Sequence, residues 1–297
     1  MKNPRIMAIA PRLKMNTIGS LKASKPWVHA LVSFTAWSFF TGCKGSGRVA
    51  AGDISIFYKR FGRGEPVLLL HGGFTIAEGW AAQIPALARG HMVVAMDSRG
   101  HGRTTLGTAR LTYRQMGHDA ASLVERLGIG PVHVIGSSDG GIAGLAMALE
   151  RPDLVRSLVL FGTSFNTANY TEETNEVIER FLRPASPVLR GLLVMRRLLN
   201  PEPGTGRRFV DGMREMWTTL PDFSLEELGA ISAPTLVVGG DRDEFLSLTE
   251  DPLEVFKETA SAMPNAELAV IPGGTHTLNI DRAAKVNALI LSFLARV

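Results

Sequence analysis

The sequence predicts an α/β fold with a mostly parallel central sheet, helices on both faces and a small helical lid. Short runs of β-branched residues or leucine alternate with longer amphipathic segments, which is typical of parallel strands joined by crossover helices. Several runs are apolar almost throughout, as expected for strands covered on both faces. The alternation lapses over about residues 165–228, where a helical, proline-broken stretch predicts the lid.

The predicted strands and helices account for most of the chain after residue 51. The strands are 54–58, 67–70, 92–96, 132–135, 158–161, 235–238 and 268–271. The helices include 113–127, 141–150, 253–263 and 282–294, and Gly128, Pro152 and Pro264 supply stop signals. An insertion between the fifth and sixth of these strands places the lid over the carboxyl edge of the sheet, where open α/β sheets bind ligands.

The first 42 residues are predicted to be a signal peptide, because they combine a basic start with an apolar run. The run, Trp27 to Phe40, is shorter than the roughly 20 residues that cross a bilayer. It leads into Thr41, Gly42 and Cys43, an ending that resembles the lipobox of bacterial lipoproteins. We therefore expect a lipid on Cys43, the single cysteine, and a protein exported to the bacterial cell envelope and anchored to the membrane. A plain signal peptide and an uncleaved anchor are the alternatives.

Residues 43–51 are predicted to be a flexible tether, because Gly45, Ser46 and Gly47 are small and permissive. The folded domain is then expected to cover residues 52–297.

The distribution of charge argues against binding to nucleic acid. The whole chain has a formal net charge of +4, but the first 42 residues hold six Lys or Arg and no Asp or Glu. The remainder therefore has a net charge of −2. A nucleic-acid-binding domain needs its basic residues on the folded body, so we expect no such partner.

A serine nucleophile is predicted at Ser138. The stretch Gly136 to Gly140 reads GSSDG and lies between a predicted strand and a predicted helix, which is the context of the G-x-S-x-G nucleophile elbow. Its glycines allow a tight, strained turn that presents the central serine.

In folds that carry this elbow, a base and an acid follow the nucleophile along the chain, in the order acid then histidine. His276 is the one histidine after Ser138, and it precedes the last predicted helix. The acid should follow the strand at 235–238, where Asp241, Asp243 and Glu244 are all candidates.

The motifs HGG, DSRGHG, GSSDGG, GGDRD and GGTH stand in the order found in α/β-hydrolases, which the chain resembles from Leu70 to Leu278. This resemblance implies the α/β-hydrolase fold and selects Asp243 as the acid that faces His276. It also implies that Gly73, in the HGG motif, donates one N–H of the oxyanion hole. The second donor is the N–H of Asp139, the residue after the nucleophile. The DSRGHG turn, with Asp97 and His101, is a structural feature of the family.

A narrower resemblance concerns the substrate. The segment SDGGI, which begins at Ser138, is similar to that of biphenyl-hydrolase-like esterases such as valacyclovir hydrolase, which cleave α-amino acid esters. In that group the aspartate after the serine receives the ammonium group of the substrate, a role that falls on Asp139 here. The alternative is that the Asp139 carboxylate only complements the helix dipole in water. Trp217 in the lid is a further candidate substrate contact, although apolar residues at helical spacing commonly serve packing.

Together these patterns predict a hydrolase of small-molecule carboxylic esters that works through an acyl-enzyme. We expect no metal and no cofactor, because ligand spacings and phosphate-binding loops are missing from the sequence. A lactonase, a small-residue aminopeptidase and a perhydrolase are alternative enzymes. A ligand-binding protein that kept the fold without turnover is the alternative from another class. The sequence does not indicate an oligomeric state.

Overall fold

The structure is a computed structural model that describes residues 43–246 and 251–297. Within these residues the chain forms one eight-stranded sheet. Its strands are β1 (Cys43–Ala51), β2 (Ile54–Gly62), β3 (Glu65–Leu70), β4 (His91–Met96), β5 (Val132–Ser137), β6 (Val155–Phe161), β7 (Thr235–Gly240) and β8 (Ala266–Ile271).

The strand order across the sheet is β1-β2-β4-β3-β5-β6-β7-β8. The first two strands pair antiparallel to their neighbours, and the pairs from β4 to β8 are parallel. The seven predicted strands are therefore confirmed. The carboxyl ends of β3, β5, β6 and β7 lie side by side and form the edge from which the functional loops arise.

The flexible tether predicted for residues 43–51 is wrong, because these residues form strand β1. They pair antiparallel with β2 through a register that runs from Ala51 opposite Ile54 to Cys43 opposite Phe61. Gly52 supplies the positive φ of 55° that a two-residue hairpin turn requires. The domain therefore includes residues 43–51 rather than starting at 52. The predicted signal peptide, residues 1–42, lies outside the described residues.

The described part of the chain contains ten α-helices, the last two of which follow β8. They are α1 (Ile84–Leu87), α2 (Tyr113–Leu127), α3 (Asp139–Glu150), α4 (Glu172–Leu182), α5 (Pro187–Leu199), α6 (Gly206–Thr219), α7 (Leu225–Ala230), α8 (Glu254–Ala262), α9 (Leu278–Asp281) and α10 (Ala283–Leu294). Short 3-10 turns add Ala77–Trp80, Pro152–Leu154 and Thr167–Asn169. Helices α4 to α7 fall between β6 and β7, where the lid was predicted.

Alternating residues of the parallel strands bury two apolar cores, one on each face of the sheet. On β3, Leu68 and Leu70 join the core beneath α2 and α3, whereas Val67 and Leu69 join the core beneath α10. Because the central strands are covered on both sides, the ends of the strands are held rigidly, which fixes the loops that they carry. No helix among residues 43–246 and 251–297 has the length and apolar character needed to cross a membrane.

Candidate active site

Ser138 lies at the sharp turn between β5 and α3, as the motif predicted. Its backbone has φ 53° and ψ −123°, a conformation that is strained for a residue with a side chain. Its N–H donates to the Phe161 carbonyl at 2.8 Å, which ties the turn to β6. A Cβ on Gly140 would lie 2.1 Å from the Leu70 carbonyl oxygen, so only glycine permits this approach to β3. The motif glycine is therefore a steric requirement.

His276 and Asp243, from the loops after β8 and β7, meet in a direct hydrogen bond. His276 Nδ1 lies 2.9 Å from Asp243 Oδ2 and 3.0 Å from Oδ1. The Asp243 side chain is fully buried and its Oδ1 also accepts the N–H groups of Phe245 and Leu246, at 2.9 and 3.0 Å. These bonds fix the carboxylate, and the carboxylate in turn orients the imidazole.

The acidic residues beside Asp243 have different partners. Asp241 is exposed and its carboxylate accepts the Gly273 N–H at 2.6 Å, which joins the loops after β7 and β8. Glu244 accepts the backbone N–H of His276 at 3.0 Å. Of the three candidate acids, Asp243 is the one whose carboxylate contacts the imidazole ring.

The surroundings of His276 favour its charged form. Burial, the largest single influence, disfavours the imidazolium, but the Asp243 carboxylate outweighs it by charge and hydrogen bonding, so the pKa of His276 is raised above its ordinary value. A histidine held in this way accepts a proton readily, which suits a general base.

The two predicted oxyanion donors belong to two chain segments that adjoin the nucleophile. Asp139 is the first residue of α3, where a helix N–H has no partner within the helix and the dipole favours a negative charge. A Cβ on Gly72 would lie 3.3 Å from Ser138 Cβ, which places the loop after β3 directly against the nucleophile. The Gly73 N–H, next in that loop, has no acceptor among the described residues. Both groups are thus available beside Ser138.

The side chain of Asp139 does not lie in bulk water, because the residue is only 3% exposed. Tyr113 Oη donates to its Oδ1 at 3.0 Å, and Trp217 Nε1 donates to Oδ1 and Oδ2 at 3.1 and 2.9 Å. Burial raises the pKa of Asp139 to about 6, although both hydrogen bonds oppose this rise. The solvated alternative is therefore wrong, and the carboxylate is a buried group with two neutral donors.

One cavity of about 110 Å³ joins these groups. Its wall includes every predicted catalytic, oxyanion-hole and substrate-contact residue except Asp243, which lies behind the ring of His276. These residues are Gly73, Ser138, Asp139, Trp217 and His276. Trp217 comes from lid helix α6 and is half-buried, so one side chain both contacts Asp139 and lines the cavity. Sequence reasoning missed Tyr113, whose place at the start of α2 gave no signal of a contact with Asp139.

A second cavity of about 130 Å³ adjoins the first. The two share Gly73, Thr75, Gly79, Thr277 and Ile280 in their walls, so they meet at the oxyanion loop. Beyond the shared wall the second cavity is lined mostly by apolar residues, and lid helix α5 contributes Val188, Leu192 and Met195 among them. It is therefore an apolar extension of the space beside Ser138.

The DSRGHG turn is structural, as the family resemblance implied. The Asp97 carboxylate accepts the Ala77 N–H at 2.9 Å and pairs with Arg103 at 2.7 Å. Arg99 is buried between Asp53 and Asp119. Among the residues that the structure describes, no group of three His, Cys, Asp or Glu is placed to hold a metal ion.

Comparisons with known proteins identify the family and the fold. A family model described as the alpha/beta hydrolase family matches residues 67–289. A 2-hydroxy-6-oxononadienedioate/2-hydroxy-6-oxononatrienedioate hydrolase from Pseudomonas putida is 29% identical over 82% of this chain and 92% of its own length. Among solved structures, a meta-cleavage product hydrolase from Pseudomonas fluorescens is similar with TM-score 0.71 and 23% identity, covering 84% of this chain and 97% of the other. A thermophilic esterase from Thermogutta terrifontis has TM-score 0.66 and 26% identity, covering 85% and 98%.

Proposed function

The chain belongs to the α/β hydrolase family, and within it we propose a serine hydrolase that cleaves carboxylic esters through an acyl-enzyme on Ser138. The observation that carries this proposal is the bond between His276 Nδ1 and Asp243. Because Nδ1 is used in this bond and the His276 ring lines the Ser138 cavity, the other ring nitrogen, Nε2, can act as the base. The similarity to a thermophilic esterase agrees with this reaction class.

The reaction divides into two displacements. In the first, Ser138 Oγ bonds to the ester carbonyl carbon while its proton passes to His276 Nε2, and the alcohol then departs with that proton. In the second, water attacks the acyl carbon, gives its proton to His276 and releases the acid with Ser138 restored. Asp243 stabilises the imidazolium in both steps, and the N–H groups of Gly73 and Asp139 stabilise the oxyanion.

The two adjoining cavities indicate the shape of the substrate. The carbonyl has to lie beside Ser138, and the shared wall at Gly73 leads from there into the apolar space under α5. An ester with an extended apolar group on one side of the carbonyl would fill that space and bury its surface, at about 25 cal/mol for each Å². We therefore propose an ester with an aliphatic or aryl arm as the substrate class.

A second candidate, the hydrolysis of α-amino esters, is favoured by Asp139. Its carboxylate lines the Ser138 cavity and is buried beside two neutral donors, and no cationic side chain among the described residues is hydrogen-bonded to it. An ammonium group on the carbon next to the scissile carbonyl would supply the missing positive charge.

We also propose export and lipid anchoring, which the leader and the ending at Cys43 support. The Cys43 side chain is exposed at the first residue of β1. Intact mass of the protein from its native host should show loss of residues 1–42 and a lipid on Cys43, and Cys43→Ser should remain uncleaved or leave the membrane. A mature protein that begins elsewhere and lacks the lipid would contradict this proposal.

A panel of p-nitrophenyl and unactivated esters, with acyl chains of increasing length, tests the reaction class. Wild type should hydrolyse them without added cofactor, and Ser138→Ala should lose kcat by several orders of magnitude. Ser137→Ala, a change of the neighbouring half-buried serine, is the matched control and should keep most of the activity. A folded wild-type protein that binds esters without turning them over would instead favour the ligand-binding alternative.

A further inference from the structure

Two buried histidines outside the proposed triad lie side by side behind the oxyanion loop. His71 follows β3 in the HGG motif, and His101 belongs to the turn after β4. Each is 2% exposed, and their ring centroids are 5.1 Å apart. Neither ring has a part in the proton transfers described above.

Each ring accepts a hydrogen bond from a backbone N–H of the loop that carries the other ring. His71 Nε2 accepts the Ser98 N–H at 3.0 Å, and His101 Nε2 accepts the Phe74 N–H at 3.0 Å. Each loop therefore supplies one imidazole and one N–H to the other. The arrangement is reciprocal, and we name it the histidine clamp.

The partners of the other ring nitrogens fix the tautomers. His71 Nδ1 lies 2.8 Å from the Gly72 carbonyl, and His101 Nδ1 lies 2.9 Å from the Arg99 carbonyl. A carbonyl oxygen can only accept, so each Nδ1 carries the hydrogen and each Nε2 is left to accept. Burial lowers the pKa of both histidines, which keeps the rings in the neutral form that the clamp requires.

The clamp acts at a strained point of the backbone. Phe74 has φ 58°, in the left-handed region that a residue with a side chain seldom adopts. Its N–H is the group that His101 accepts, and the preceding residue is Gly73. The peptide plane between Gly73 and Phe74 is thereby fixed. The Gly73 N–H itself lies in the preceding peptide plane, whose Gly72 carbonyl accepts from His71 Nδ1 at 2.8 Å, so the two histidines together fix the planes on both sides of Gly73.

We propose that His71 and His101 are positioning residues whose reciprocal bonds aim the Gly73 N–H at the oxyanion of the tetrahedral intermediate. This proposal rests on the ester hydrolysis proposed above. The clamp would contribute in the transition state, where the oxyanion forms, and little in the substrate complex. Because His101 also lines the second cavity, the expectation applies to a short ester that does not reach it: loss of the clamp should lower kcat while KM changes little.

The test compares His101→Leu, which removes the acceptor, with His101→Gln, whose side-chain oxygen can replace Nε2. Steady-state kinetics with an acetate ester and the affinity for methylboronic acid, which forms a tetrahedral adduct with an active serine, are measured for each variant. We expect His101→Leu to lose kcat and boronate affinity by about ten- to a hundredfold, since loss of an entire oxyanion donor costs about a hundred- to a thousandfold. His101→Gln should recover most of both.

His133→Leu controls for the loss of a buried histidine, because His133 is fully buried at the far end of β5 and bonds to Ser157 at 2.8 Å. It should lower the melting temperature without changing boronate affinity relative to wild type. If His101→Leu fails to fold, His71→Gln and His71→Leu test the other half of the clamp with the same two measurements.

The outcomes separate the clamp from the proposed reaction. A wild-type protein that neither hydrolyses esters nor binds the boronic acid would refute the proposed ester hydrolysis itself. An active wild type with a folded His101→Leu of unchanged kcat and boronate affinity would refute the clamp alone. Equal losses in His101→Leu and His101→Gln would also refute it, because the acceptor would then be irrelevant.

Discussion

Replacing Asp139 by Asn should remove a preference for amino esters and, at the same time, stabilise the protein. The substitution keeps the shape of the side chain, an oxygen that accepts from Tyr113 and Trp217, and the backbone N–H proposed for the oxyanion. What it removes is a charge that is only 3% exposed. Activity towards esters without an amine should therefore change little.

The magnitude follows from the buried charge. A charge-assisted pair with a substrate ammonium is worth about 1.5–3 kcal/mol, or about ten- to a hundredfold in kcat/KM. Without substrate, burial raises the pKa of Asp139 to about 6, so the ionised carboxylate costs on the order of 3 kcal/mol of stability. This cost is absent below about pH 4 and complete above about pH 6, which means that Asp139→Asn should raise the melting temperature at neutral pH.

The assay measures kcat/KM for an α-amino ester and its des-amino analogue, at about pH 7 and about pH 5. The ratio of the two kcat/KM values is used because the titration of His276 affects both substrates equally and therefore cancels. With a pKa of about 6, Asp139 is about 90% ionised at the higher pH and about 10% at the lower, so the wild-type preference should fall by up to about tenfold. Asp241→Asn, a change of an exposed aspartate, is the matched control. A wild type with no amine preference, or a preference that survives in Asp139→Asn, would refute the role.

Three further results are expected. Asp243→Ala should lower kcat by orders of magnitude and Asp241→Ala by far less, because only the first carboxylate contacts the imidazole; equal losses in folded variants would show that the acid is misassigned. The acid limb of kcat/KM against pH should lie above about pH 6.5, since the base has to be neutral and the pKa of His276 is raised above its ordinary value. An acid limb below that pH would contradict the assignment of His276 as the base. Val188→Trp should fill the second cavity and lower kcat/KM for long-chain esters more than for acetates. Val194→Trp, on the exposed face of the same helix, should not do so. Equal effects of Val188→Trp on long-chain esters and acetates would argue against an apolar arm in that cavity.

The sequence was sufficient to predict the fold class and seven of the eight strands. Runs of apolar residues mark buried strands, and each predicted strand is present. The elbow at Ser138 could be predicted because a side chain at its glycine positions would clash with neighbouring backbone, and this steric requirement is visible in the sequence as a motif. The choice of Asp243 over Asp241 needed the family spacing, since both lie in the same short turn.

The contacts that were missed depend on chain segments far apart in the sequence. Residues 43–51 contain two glycines and one serine, yet they form a strand because they pair with the edge of β2. Asp139 is separated from Trp217 by 78 positions, and only the packing of the lid on the sheet brings them together. The second cavity likewise arises from the placement of α5, which local periodicity does not specify.

Labelling with a fluorophosphonate, followed by mass spectrometry of the digested protein, tests the activated serine most directly. The reagent phosphonylates a serine only when a base and an oxyanion site increase its reactivity. We predict one adduct, on the peptide that contains Ser138, in wild type and in Ser137→Ala, and none in Ser138→Ala or at low pH where His276 is protonated. An absent adduct in folded wild type, or an adduct on a different residue, would contradict the account.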